Sequence, residues 1–264
     1  MPYTYEYPRP SVTVDTVLFT IRAGELAVLM IRRGGPPFKG HWALPGGFVE
    51  ENESLERAAS RELQEETGVV QTALEQLGAF GDPGRDPRGH TVSVAFYAFL
   101  VATTRPVAAD DAADAQWVPL STLARARVAF DHSRIITLAV DRLRDQLAML
   151  AQEGGVHGTG RARFEIVPPR FTLSELQHVH EAVLGKQLDK RNFRSKLVSQ
   201  GLVEPVASAH RTGRHRPAQL YRWKQVEPTP PPPPAKPAPV KRAARKRTPS
   251  ARQSRAGGPG PRRA

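Results

Sequence analysis

The chain contains no cysteine. Disulfides, thiolate metal sites and cysteine nucleophiles are therefore excluded, and nothing points to an oxidising compartment. Aromatic residues are sparse at 7%, and no stretch approaches the roughly 18 apolar residues of a membrane span. Met1 to Pro10 has neither the basic start nor the apolar core of a secretory signal. A soluble, cytoplasmic protein with no membrane partner is expected. Acidic residues are absent from 228 to 264, where ten Lys/Arg and eleven prolines stand almost without large apolar side chains. Such a tail has nothing to bury and is expected to be disordered.

The remaining charge is divided just as unevenly. The net charge of +12 over 264 residues splits into −5 for residues 1–159, +7 for 160–227 and +10 for the tail. An acidic domain followed by a basic one is the reading, and the basic one is a candidate for nucleic acid. Glycines at 154, 155, 158 and 160 mark a flexible linker. The expected layout is a domain at 1–152, a linker at 153–160, a second domain at 161–227 and the tail at 228–264.

Val12 to Ile21 alternates and is rich in β-branched residues. Leu26 to Ile31 follows after a turn at Ala23 and Gly24, so the two read as paired strands. Arg33 to Gly40, with three glycines and two prolines, is a loop leading to His41–Leu44 and then Pro45, Gly46 and Gly47. Ser54 to Thr67 holds helix formers with Gly68 as C-cap. Leu74–Phe80, Thr91–Val101 and a short piece around Trp117 read as strands, and Ser133–Leu150 as an amphipathic helix. Mixed strands with flanking helices give an α/β fold, an α/β/α sandwich with a mixed sheet. Further on, Thr172 and Glu175 form a capping box for a helix ended by Gly185. Asp189 caps a second, basic helix at 190–200, and two strand-like segments flank a loop with Arg211, Arg214, His215 and Arg216. That order is a winged helix-turn-helix.

The densest chemistry lies between Gly47 and Val69. Gly47 is followed after five residues by Glu53, and after seven more by Arg61, Glu62, Leu63, Gln64, Glu65, Glu66, Thr67, Gly68 and Val69. Glu62, Glu65 and Glu66 stand at i, i+3 and i+4, on one helix face. Three carboxylates so close repel one another, and a hard divalent cation relieves that repulsion. Gly46 and Gly47 let backbone approach the cation. Arg61 is placed to pair with Glu53 or Glu65, while Leu55, Ala59 and Leu63 form an inward stripe. An acidic helix is more often a solvated face; the accompanying Gly47, Glu53, Arg61 and Gly68 tip the reading to a metal site.

This pattern fills every fixed position of the Nudix box, and the chain resembles the Nudix hydrolases. The resemblance implies Mg²⁺, with Mn²⁺ as the alternative, bridging substrate phosphates while a metal-polarised water attacks phosphorus and a carboxylate takes its proton. Glu62 is the first choice of base. In the family the base also comes from a later loop, and Asp110, Asp111 and Asp114 stand on a candidate loop, although a solvated surface loop is the favoured reading of these three. Gly81 to Arg88 resembles the proline-containing turn that follows the box in ADP-ribose-hydrolysing members. Arg85 and Arg88 there suit phosphate or ribose, and a charged surface turn is the alternative.

Trp42 to Val49, Phe171–Glu175, Leu188–Arg194 and Arg216–Tyr221 together resemble the Nudix-related transcriptional regulators of NAD metabolism, the NrtR family, over roughly residues 12–223. The resemblance implies a homodimer that senses ADP-ribose, or a related nucleoside diphosphate derivative, and binds double-stranded DNA. Many members carry a damaged box; this one is whole. Lys190, Arg191, Asn192, Arg194 and Lys196, with Arg214 and Arg216 of the wing, are the expected DNA contacts, with Phe193 and Leu197 anchoring the back of the helix. A basic helix facing solvent or a partner subunit is the alternative. Three functional readings follow: a sensing regulator that also hydrolyses, a plain pyrophosphatase with a basic appendage, and a sensor with a vestigial box.

Overall fold

The computed structural model describes residues 5–71, 73–101, 112–152, 166–211 and 218–224. Asp110, Asp111, the linker at 153–160, Arg214, Arg216 and the tail lie outside the described residues. The chain divides into two compact units, Met1–Val226 and Glu227–Ala264; all described residues belong to the first.

Strand β1 (Ser11–Arg22) turns through Ala23 and Gly24 into β2 (Glu25–Arg33). Both turn residues have positive φ, 50° and 81°, the geometry that matches the twist of two antiparallel strands joined by two residues. Short strands β3 (Trp42–Ala43) and β4 (Gly46–Phe48) lead into α1 (Leu55–Thr67). Then come β5 (Glu75–Phe80), β6 (Thr91–Phe99), β7 (Ala112–Pro119), the single turn α2 (Leu120–Leu123) and α3 (His132–Gln152). The sheet order is β3-β2-β1-β6-β5, with β4 also on β1 and β7 also on β2. Only β1 and β6 run parallel, so the sheet is mixed, as expected.

Strand alternation divides the core between the two faces. Val14 and Leu18 of β1, with Val94, Phe96 and Ala98 of β6, meet Ala58, Ala59 and Leu63 of α1. Val17 and Phe19, with Ala95, Tyr97 and Phe99, meet Ile135, Ala139, Val140 and Leu143 of α3. Because β1 is covered on both sides, it is buried through most of its length, its threonines Thr13, Thr16 and Thr20 included. The predicted inward stripe of α1 holds, with Leu55 partly buried and Ala59 and Leu63 fully so.

The second predicted domain forms α4 (Leu173–Leu184), α5 (Lys190–Ser199), β8 (Val203–Arg211) and β9 (Ala218–Trp223). The Thr172–Glu175 capping box is present in both directions, and Gly185 ends α4 at φ 65°. Asp189 caps α5 through the Asn192 N–H. The two predicted domains share one apolar core: Ile166, Val167, Phe171, Leu176 and Val183 are continuous with Leu143 and Leu147 of α3. Arg144 of α3 donates to the Val183 carbonyl at 3.1 Å. Strand β7 is longer than its sequence suggests and takes Asp114 out of the expected loop and into the sheet. Among the described residues no helix is long and apolar enough to cross a membrane.

Candidate functional site

Helix α1 owes its position to its two caps and to the strand lying over it. The Ser54 hydroxyl accepts from the Arg57 N–H, and Gly68 takes the left-handed conformation at φ 67°. Strand β4 is wedged between β1 and α1 so tightly that only glycine fits. A Cβ on Gly46 would lie 2.1 Å from the Val14 carbonyl oxygen, and one on Gly47 would lie 2.3 Å from a Glu62 carboxylate oxygen. The Gly46 N–H donates to Glu66 Oε2 at 2.8 Å.

Arg61 ties the box together. Its guanidinium donates to both oxygens of Glu53 at 2.9 Å, to Glu62 at 2.8 Å, to Glu65 at 3.1 Å and to the Phe48 carbonyl at 3.1 Å. The alternatives left open for Arg61 are thus both realised. This clamp holds the Glu53 carboxyl down to about 2. Burial instead pushes the Glu62 carboxyl up, and pushes Glu66 up to about 8 against the opposing Gly46 N–H.

The three glutamates share a helix face, but their carboxylates do not gather about one point. Glu65 is 59% exposed and drawn outward by Arg61, Glu62 is 15% exposed, and Glu66 is tucked beneath Gly46. Among the described residues no three acidic or histidine side chains form a closed cluster able to hold an ion. The donor set nevertheless fits a hard divalent cation: oxygen ligands only, two of them raised by burial and mutual repulsion that a cation would offset.

The predicted substrate arginines part ways. Arg85 is a correction: its side chain is 5% exposed and grips Asp131 with two bonds, at 2.6 and 3.1 Å, with Asp15 at 3.6 Å. A guanidinium so buried and so paired braces the domain interior instead of offering itself to a phosphate. Arg88 is 48% exposed, held by Asp86 at 2.7 Å and set 5.7 Å from the Phe48 and Phe130 rings. Arg33 lies over the same Phe130 ring at 4.8 Å. Its guanidinium feels both Arg88 and Glu66, and its pKa is lowered by burial first and Arg88 second. Phe130 and Phe38, at φ 51° and 64°, meet edge to face at 4.9 Å. Bulky residues in the left-handed region mark strain held by the surrounding structure.

Sequence reasoning missed Arg33 and Phe130, and also a buried network behind the glycine loop. Asp15 accepts from the Ser93 hydroxyl and lies 3.4 Å from His132 Nε2. His132 Nδ1 accepts the Leu44 N–H at 2.9 Å. No motif announces these residues; only the charge of Asp15, alone between Ser11 and Ile21, offered a signal.

In the winged helix, Lys190, Arg191, Asn192 and Lys196 are exposed on α5. Arg194 is half-buried and donates to Ser174 Oγ at 2.7 Å, so it fastens α5 to α4. Leu197 is buried and Phe193 stacks edge-on against His180 at 5.1 Å, as expected of the back of that helix.

Residues 10–139 match the NUDIX domain model, and residues 163–223 match the NrtR DNA-binding winged helix domain. The chain is 36% identical over 220 residues to an ADPR responsive transcriptional repressor, NtrR, of Acinetobacter baylyi, covering 83% of this chain and 84% of that one. It is 41% identical to an ADP-ribose pyrophosphatase of Methanocaldococcus jannaschii over 49% of this chain and 73% of the other. The structure of Shewanella oneidensis NrtR complexed with a 27mer DNA aligns with a TM-score of 0.62 at 35% identity, over 81% of this chain and 93% of that one. With its Nudix domain, its winged helix and their order all matched along most of its length, the chain belongs to the NrtR family.

Proposed function

We propose that this protein is an ADP-ribose-responsive, DNA-binding transcription regulator of NAD metabolism whose Nudix domain retains the capacity to hydrolyse its ligand. The observation that carries the reading is a complete Nudix box sharing one continuous core with an NrtR winged helix. ADP-ribose, or a related nucleoside diphosphate derivative, would lie against the box with its diphosphate toward Arg88 and Arg33. Gly46 and Gly47 keep side chains out of that approach. Glu62, Glu65 and Glu66 would hold Mg²⁺ or Mn²⁺, which supplies positive charge against the diphosphate. Arg61 and Glu53 orient these carboxylates, and Glu62, raised by burial, is suited to accept the proton of the attacking water. The protein would act in the cytoplasm as a homodimer, presenting Lys190, Arg191, Asn192 and Lys196 to double-stranded DNA, with Arg214 and Arg216 from the wing.

A plain pyrophosphatase is the second reading, favoured by the whole box and the pyrophosphatase relative. A Glu66→Gln variant tests the proposal. It should bind ADP-ribose in calorimetry yet lose Mg²⁺-dependent hydrolysis, because a ligand charge is removed at constant side-chain volume. Unchanged turnover would remove Glu66 from the metal site, and absence of ADP-ribose binding would remove the ligand assignment.

A further inference from the structure

We infer that the protein carries a second anion site outside the Nudix box, a basic pocket built by Arg32, Lys39, His41 and Arg127 that takes a phosphate group. The pocket is an open concavity of about 390 Å³ between the end of β2, the loop running into β3 and the segment after α2, with Trp42, Gly40 and Ala126 completing its walls. Arg32 and Arg33 are neighbours in β2, so strand alternation directs them to opposite faces; Arg33 belongs with the box and Arg32 with this pocket.

The charge pattern argues for a ligand. Among the described residues none of Arg32, Lys39 and Arg127 forms an ion pair, and no acidic residue lines the pocket. His41 Nδ1 is buried without a hydrogen-bond partner. Three like charges held around one concavity repel one another, and an anion converts that repulsion into binding. The pocket is also preorganised. Arg32 lies over the Trp42 ring at 4.0 Å and donates to the Gly40 carbonyl at 2.8 Å. The Trp42 N–H donates to the Arg127 carbonyl, and Ala129 donates back to Trp42, so the two walls are stitched by backbone. A guanidinium already fixed loses little freedom on meeting a phosphate fork. Trp42 is buried with Arg32 over its ring, so the pocket presents more charge than aromatic surface; phosphate is favoured over a planar apolar ligand.

The phosphate belongs either to a small metabolite or to the DNA backbone, and the test separates the two. Inorganic pyrophosphate is titrated by calorimetry into the full chain in metal-free buffer. Wild type should bind, and Arg32→Ala/Arg127→Ala should bind about tenfold or more weakly at an unchanged melting temperature. If the double variant unfolds, Lys39→Ala, an exposed loop change, replaces it and should still weaken binding. Salt titration of a duplex DNA on the same variants identifies the source. A slope reduced by about two means the pocket meets DNA phosphates; an unchanged slope with lost pyrophosphate means a metabolite. Wild-type affinity in the variants, or no binding of millimolar pyrophosphate to wild type, overturns the site.

Discussion

At the scale of single residues, the box is held by what its glycines exclude. Gly46 and Gly47 are adjacent, yet their substitutions should fail differently. An alanine Cβ at 46 meets the Val14 backbone, which cannot move without parting β4 from β1, so Gly46→Ala should destabilise the fold by at least about 2 kcal/mol. At 47 the obstacle is the Glu62 carboxylate, a side chain able to swing away. Gly47→Ala should therefore melt close to wild type while losing hydrolysis, because Glu62 is displaced. Equal losses of melting temperature would contradict this division. The sequence made the glycines legible as a pair but not their separate duties, since those depend on which element lies opposite each.

Two buried imidazoles give a residue-scale pH prediction. Burial lowers the His132 pKa, with Asp15 pulling the other way, and burial lowers that of His180 against the Leu176 carbonyl. Both are neutral in the fold and gain protons more readily unfolded, so their contribution is whole above about pH 6.5 and is lost as pH falls through that value and below. NMR titration of the folded protein should place both midpoints below 6.5. A His180 midpoint at or above that value would show its site to be wet.

At the scale of elements, what the chain revealed followed from local chemistry. Helices α1, α4 and α5 were readable because each begins on a capping side chain, and α1 and α4 each end on glycine. The hairpin of β1 and β2 was readable from alternation and its Ala23–Gly24 turn. Strands β3 and β4, and the part of β7 before Trp117, were not, because their pairing is supplied by β1 and β2 and their own residues carry no alternation. Arg85 was misjudged for a related reason: an arginine reads as a surface cation until the fold brings Asp131 and Asp15 to it, and the bond of Arg194 to Ser174 was hidden in the same way. The capping box of α4 provides the test at this scale. Thr172→Ala should cost about 1 kcal/mol and speed hydrogen exchange in the first turn of α4, whereas Thr172→Ser should restore most of it. Exchange unchanged in the alanine variant would show that packing alone fixes that helix start.

At the scale of the whole molecule, charge distribution announced two domains but not that they share a core. Composition reports what a segment can bury, and only the fold shows against what. The junction sets α3 between the box side and the winged helix: His132, at its first turn, holds the Leu44 N–H ahead of the glycine loop, and Arg144, further along, holds α4 at Val183. With the function proposed above, a ligand against the glycine loop and DNA against α5 would act on segments that are both held by α3. If ADP-ribose favours one arrangement of the two winged helices in a dimer, it changes DNA affinity, and DNA must change ADP-ribose affinity by the same factor. The deciding measurement is binding of an operator duplex, selected by the protein's own affinity, to full-length Glu66→Gln titrated with ADP-ribose, so that hydrolysis cannot consume the ligand. DNA affinity should shift by at least about fivefold, mirrored in ADP-ribose affinity; DNA affinity constant up to saturating ADP-ribose would contradict the coupling.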